Sequence, residues 1–156
     1  MKIRGRVIVV GLGVMAAAFT MAQRAEATLG GTADSVTTDR AALSAARRAT
    51  TVLPNYTVQE IVSDAVRIRE YVSSAGVVFA ISWDGLIHPD LTTLLGSYAS
   101  EYRQAEHDTP RHMGVRRREV RGSQVVVEKW GHMRNLRGRA YAPALVPAGV
   151  SLDELK

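Results

Sequence analysis

The sequence predicts an α+β fold: a mostly antiparallel sheet of about six strands packed on one main amphipathic helix, with a further helix near the N-terminus. Three observations carry this expectation. Short β-branched runs recur with turn residues between them, and one of these runs alternates apolar with charged residues. A single stripe of Leu and Tyr at three- and four-residue spacing marks a helix in the middle of the chain. At 156 residues, 46% hydrophobic and 22% charged, the chain has the size and composition of one globular domain.

Residues 1–27 read as a secretory leader. Lys2, Arg4 and Arg6 form its positive start, residues 7–22 its apolar run, and Ala25-Glu26-Ala27 an A-x-A cleavage site. The apolar run is shorter than the ~20 residues of a spanning helix. Cleavage after Ala27 leaves 28–156 as a single domain on a Sec-type route to the periplasm or beyond, with no transmembrane segment. Gly11-Leu12-Gly13-Val14-Met15-Ala16 imitates a dinucleotide-binding fingerprint. The residues after it are Ser/Thr/Ala-rich, without the second strand and acidic residue that motif needs, so the leader reading prevails.

Residues 28–33 are small and Gly-rich and read as a mobile lead-in. Residues 35–48 read as a helix capped by Asp34 or Ser35, with Val36, Leu43 and Ala46 as a thin apolar stripe, broken by residues 50–55. Strands come next at 56–62, 65–72 and 77–83. In the second of these, Val66, Ile68 and Val72 share one face and Arg67, Arg69 and Tyr71 the other, the signature of a sheet with one wet side. Glu70 interrupts the apolar face. The third is apolar on both faces, with Val77, Phe79, Ile81 and Trp83 on one and Val78, Ala80 and Ser82 on the other, which makes it central. It ends in the turn signal Asp84-Gly85.

His88-Pro89-Asp90 starts the main helix, with Pro at the first helical position. Leu91, Leu94, Leu95, Tyr98 and Tyr102 form its stripe, and Gly96 within it points to a close approach to the sheet. Residues 104–114 are polar and read as a loop. Strands at 115–121, 123–130 and 136–142 complete the sheet, and a Pro-containing tail runs from about 143, with one turn capped by Ser151 and Glu154.

Tyr56-Thr57-Val58-Gln59-Glu60-Ile61, Arg69-Glu70-Tyr71-Val72, Pro89-Asp90-Leu91, Leu95-Gly96-Ser97-Tyr98 and Gly131-His132-Met133-Arg134, in this order and spacing, resemble the DUF2844 family. Leu29-Gly30-Gly31, Gly76-Val77-Val78-Phe79-Ala80 and Gly138-Arg139-Ala140-Tyr141 extend the resemblance over nearly the whole chain after the leader. The resemblance implies a small exported proteobacterial protein of the cell envelope. It supplies no activity, cofactor or catalytic residue.

The formal charge is +5, but the leader holds +3 of it; the remainder carries 16 basic and 14 acidic side chains, too balanced for a nucleic-acid partner. The absence of cysteine excludes disulfides, thiolate metal sites and a cysteine nucleophile. No cofactor motif is present, and His88, His107, His112 and His132 lack the spacing of a metal site. No serine-hydrolase or zinc-peptidase motif occurs. His88 with Asp84 or Asp90 is the one compact acid/base grouping, and it defines an alternative reading as a small periplasmic hydrolase. Turn formation, capping and dipole pairing explain the same three residues without catalysis.

Arg116, Arg117, Arg118 and Arg121 form a basic run whose members alternate faces in a strand, as on a solvated edge. The leading candidate is instead a binding surface made by Trp130, His132, Arg134, Arg137, Arg139 and Tyr141 together with Arg67, Arg69 and Tyr71. Aromatic and arginine side chains are the usual anchors of such surfaces. If the two strand faces adjoin, they suit an envelope protein or an acidic glycan. The expected role is a non-enzymatic binding or assembly module.

Overall fold

A computed structural model describes residues 28–32, 47–110 and 114–155. Among them seven strands form one antiparallel sheet: β1 (Arg47–Val52), β2 (Tyr56–Val62), β3 (Val66–Ser73), β4 (Val78–Gly85), β5 (Arg117–Arg121), β6 (Val126–His132) and β7 (Asn135–Tyr141). Their spatial order is β1-β2-β3-β4-β7-β6-β5. The first four strands meander. The chain then crosses to the far edge through α1 (Leu91–Leu95), a 3-10 turn (Gly96–Tyr98) and α2 (Ala99–Asp108), and returns by β5, β6 and β7 to close against β4.

The fold is therefore mainly β with one helical crossover, seven strands rather than six. The helix expected over residues 35–48 lies mostly outside the described residues, and Arg47 and Arg48 already belong to β1. The break read at residues 50–55 is half right. Thr50, Thr51 and Val52 are β-branched and pair with Gln59, Val58 and Thr57, while Pro54-Asn55 makes a hairpin closed by Leu53 N–H on Tyr56 C=O at 2.9 Å. The turn signal ends a strand, not a helix.

Central β4 is buried on both faces, but with a changed parity. Tyr71 pairs with Ala80 and Val72 with Val78, so Phe79 is an extra residue in a β-bulge. Val78, Ile81 and Trp83 pack under the helices with Ile61, Ile68, Leu94, Leu95 and Val127. Phe79 and Ala80 pack on the opposite face with Tyr56, Tyr71, Val126 and Tyr141. Strict alternation would have put Phe79 with Trp83. Glu70 does lie on the helix-side face of β3, opposite Ile81 and fully buried.

Asp90 is the N-cap of α1: its carboxylate accepts from Thr92 N–H at 2.9 Å and Thr93 Oγ1 at 3.1 Å. Pro89 thus precedes the helix instead of opening it. Gly96 terminates α1 at φ +50°, and a Cβ there would fall 2.7 Å from the Thr28 side chain. The close approach is to the N-terminal segment, not to the sheet. Of the stretch read as a lead-in, residues 28–32 are described and are tied into the fold. Leu29 N–H bonds Leu94 C=O at 3.0 Å, Gly30 N–H bonds Val78 C=O at 2.8 Å, and Leu29 is buried in the core between α1 and the start of β4.

The polar stretch read as a loop from residue 104 is helical as far as Asp108. Its packing is ionic, which concealed it. Glu106 Oε1 accepts from Tyr102 Oη at 2.7 Å, and from Arg118 and Lys129, each at 3.2 Å, tying α2 to β5 and β6. The tail after β7 carries two 3-10 turns, Pro143–Leu145 and Leu152–Glu154, the second capped by Ser151 Oγ on Asp153 N–H. It lies over part of the second sheet face, where Leu155 is fully buried beside Tyr56, Tyr71 and Tyr141. Tyr56 Oη donates to Glu154 Oε2 at 3.2 Å.

Leu29→Ala and Leu155→Ala each delete a buried leucine side chain at an end of the described fold and should each cost about 2–5 kcal/mol in urea denaturation. Val52→Ala, on the exposed edge, should stay within about 0.5 kcal/mol.

Candidate functional site

Because the tail covers only part of the second sheet face, the remainder is an open groove of about 670 Å³. Antiparallel pairing orders its side chains in ranks that run across the strands. Nearest the tail are Val58, Tyr71, Ala80, Tyr141 and Val126; next come Glu60, Arg69, Ser82, Arg139 and Glu128; the outermost holds Arg67, Asp84, Arg137, Trp130 and Arg117.

The middle rank is neutralised within the sheet. Arg69 donates through Nε to Glu60 at 2.9 Å and through Nη1 to Asp84 at 3.0 Å. Arg139, its side chain only 11% exposed, donates to both oxygens of Glu128 at 3.1–3.2 Å and to the Leu152 carbonyl of the tail. Glu128 is itself buried and also receives Arg117 Nη2 at 2.8 Å. A carboxylate this buried is held by the two guanidinium groups around it. Tyr71 Oη and Ser82 Oγ lie 3.2 Å apart beneath them.

The outer rank is the accessible one. Arg67 approaches Asp84 at 3.5 Å and Glu60 at 3.8 Å with 43% of its side chain exposed; Arg117 is 63% exposed. Arg137 is exposed, with its Nε on Asn135 Oδ1 at 3.1 Å and no ion pair among the described residues. Trp130 is half-buried between Arg137 and Arg117. Asp153, on the tail, forms one lip.

Of the nine residues named from sequence, Arg67, Arg69, Trp130, Arg137 and Arg139 line this groove, and the two strand faces adjoin on either side of β4. Tyr71 and Tyr141 share the face but are buried under the tail, so they are no part of an exposed surface. His132 and Arg134 sit at the exposed β6–β7 turn, where Arg134 adopts φ +65° and His132 Nδ1 lies 3.2 Å from the Met133 carbonyl. They do not line the groove. Arg117 and Glu128 do, although the sequence pattern does not single them out: Arg117 is one of a run of arginines, and only the strand order puts it beside Trp130.

His88, Asp84 and Asp90 are directed to three different tasks. Trp83 Nε1 donates to His88 Nδ1 at 2.9 Å on the helix side of the sheet. Asp84 is engaged with Arg67 and Arg69 on the groove side, and Asp90 caps α1. Burial, and after it the charge of Lys129, lowers the His88 pKa below its ordinary value of about 6.5. The neutral ring, with its proton on Nε2, is the form that accepts the indole N–H. Among the described residues no three His, Cys, Asp or Glu side chains gather as a metal site, and His112 lies outside them. None of the described helices is long and apolar enough to cross a membrane.

The geometry defines a mainly antiparallel protein with one face closed by a helical crossover and an arginine-lined groove on the other. The chain belongs to the family described as protein of unknown function (DUF2844), which it matches over residues 25–155. No curated protein and no solved structure matches it.

Two measurements check the electrostatics. Glu128→Ala leaves Arg139 without its carboxylate in a largely buried position and should cost about 3–5 kcal/mol in denaturant, whereas Asp153→Ala at the exposed lip should change little. As pH falls below about 6.5, the unfolded chain protonates at His88 while the folded chain does not. The stability gained by keeping His88 neutral is therefore complete above that value and is lost as pH falls towards the folded pKa. Urea denaturation at pH 7 and pH 5 should show a larger loss for the parent than for His88→Asn, whose amide oxygen still accepts the indole N–H.

Proposed function

We propose that the protein is an exported, non-enzymatic binding module of the bacterial cell envelope that holds an acidic glycan in the groove on its sheet face. The observation that carries this reading is the convergence of Arg67, Arg69, Arg117, Arg137 and Arg139 with Trp130 around one open concavity. Guanidinium groups pair with carboxylates in a fixed, bidentate geometry, and an indole offers a flat apolar face to a sugar ring. Asp84, Glu128 and Asp153 also line the groove, so its basic excess is moderate and favours spaced carboxylates over a dense polyanion.

Export is supported by the leader pattern of residues 1–27 and by a family match that starts at residue 25, beside the expected cleavage site. The non-enzymatic reading is supported by the engagements of His88 with Trp83, Asp84 with Arg69 and Asp90 with Thr92. Each carries a structural load on a different part of the fold.

The test is calorimetric titration of the purified protein with a mannuronate oligomer and with its uncharged methyl ester. Binding of the acid form alone, weakened about tenfold or more in Arg137→Ala/Trp130→Ala, is the expected result. Equal binding of both forms, or none of either, would overturn the reading. Mass spectrometry of protein recovered from the periplasm should show a chain beginning at Thr28; full-length protein confined to the cytoplasm would refute export.

A further inference from the structure

The outer rank has a regularity that a diffuse basic groove would not need. Arg67 pairs with Asp84, Asp84 with Arg137, Arg137 with Trp130, and Trp130 with Arg117. These are direct cross-strand partners, so the five residues stand in one line at right angles to the strands. Three are arginines, and they fall on every second strand: β3, β7 and β5. With neighbouring strands about 4.8 Å apart, consecutive arginines of the rank are rooted roughly 10 Å from each other. Trp130 occupies the interval between the second and the third.

An extended β-1,4-linked chain of sugars turns each ring over relative to the last, so alternate carboxylates project from the same side. The distance covered by two such rings is close to the spacing of the arginines. We infer that the outer rank is a comb for a linear polyuronate laid across the strands, with alternate carboxylates on Arg67, Arg137 and Arg117 and an intervening ring on Trp130. This rests on the reading of the groove as an acidic-glycan site and adds the polymer, its direction and its register.

The same rank explains the division of labour between the arginines. Arg69 and Arg139 are held by Glu60, Asp84 and Glu128 and form the back of the groove. Arg137 carries no ion pair among the described residues, and Arg67 and Arg117 keep 43% and 63% of their side chains exposed although each makes an ion pair. These three cations are the three teeth. Asp84, turned toward Arg69, stands in the interval between the first two, where the intervening sugar directs its own carboxylate away from the sheet.

The experiment is a length series: calorimetry at low ionic strength with β-1,4-linked mannuronate oligomers of two to eight residues, Trp130 fluorescence being followed in parallel. Affinity should rise by about fivefold at three residues and again at five, as a second and a third arginine are reached, and then level off. Arg67→Gln and Arg117→Gln should each abolish the step at five and spare the step at three. Arg137→Gln, at the centre, should abolish the step at three. Arg117 and Arg137 are exposed and Arg67 is partly exposed, and a single cooperative melting transition establishes that each variant is folded. A smooth rise with length, or three variants that behave alike at every length, overturns the comb while leaving the groove as a diffuse acidic-glycan site. Equal affinity for an oligothymidylate overturns the glycan assignment. Failure of every oligomer to bind overturns the groove reading itself.

Discussion

The burial of β4 on both faces is the constraint on which the remaining architecture depends. A strand with Ile81 and Trp83 on one side and Phe79 and Ala80 on the other needs two covers. The helical crossover supplies the first, and the same crossover carries the chain to the far edge, so that β7 returns against β4. The second cover is the C-terminal tail, which packs on Tyr56, Tyr71, Phe79 and Tyr141 and ends its contact at Arg139. Where the tail stops, the sheet face has to satisfy itself in water, and there it is built from arginines and carboxylates.

The close fit on the helix side is set by one pair. Trp83 lies opposite Gly138, where a Cβ would come within 2.2 Å of the indole ring, so the ring occupies the space that any other residue's side chain would take. Its N–H is satisfied by His88, which holds the segment leading into α1 against the sheet. A packing requirement in β7 is thereby coupled to the start of the crossover, and the histidine that looks catalytic in sequence is an acceptor for a buried donor.

The sequence was legible wherever a local pattern determined the outcome. The alternation in β3 placed Arg67 and Arg69 correctly on one face, and the Leu/Tyr stripe located α1 and the first turn of α2. It was illegible wherever the deciding contact came from far along the chain. Nothing near Tyr71 or Tyr141 announces that Leu155 will cover them. The polar end of α2 reads as loop because its partners, Arg118 and Lys129, come from strands still to come. Phe79 broke the expected parity because a bulge is an extra residue in a ladder, visible only once the partner strand is known. The groove was half legible for the same reason: Arg137 and Arg139 share a face by simple alternation, whereas Arg117 joins them only through the strand order.

The two tryptophans show how differently the two faces are used. Trp83 is buried, its ring fitted over a glycine and its N–H bonded within the protein. Trp130 stands on the adjacent part of the sheet, half-exposed and framed by Arg137 and Arg117 instead of by aliphatic side chains. The tail could have extended its apolar cover by one more rank, since it already places Leu145, Val146, Val150 and Leu152 on the face beside it. It ends its contact instead at the Arg139–Glu128 pair, to which Leu152 contributes its carbonyl. That polar seam divides the face into a part closed by the chain's own residues and a part whose indole and guanidinium groups remain available to a ligand, and it fixes the back wall against which the outer arginines are displayed.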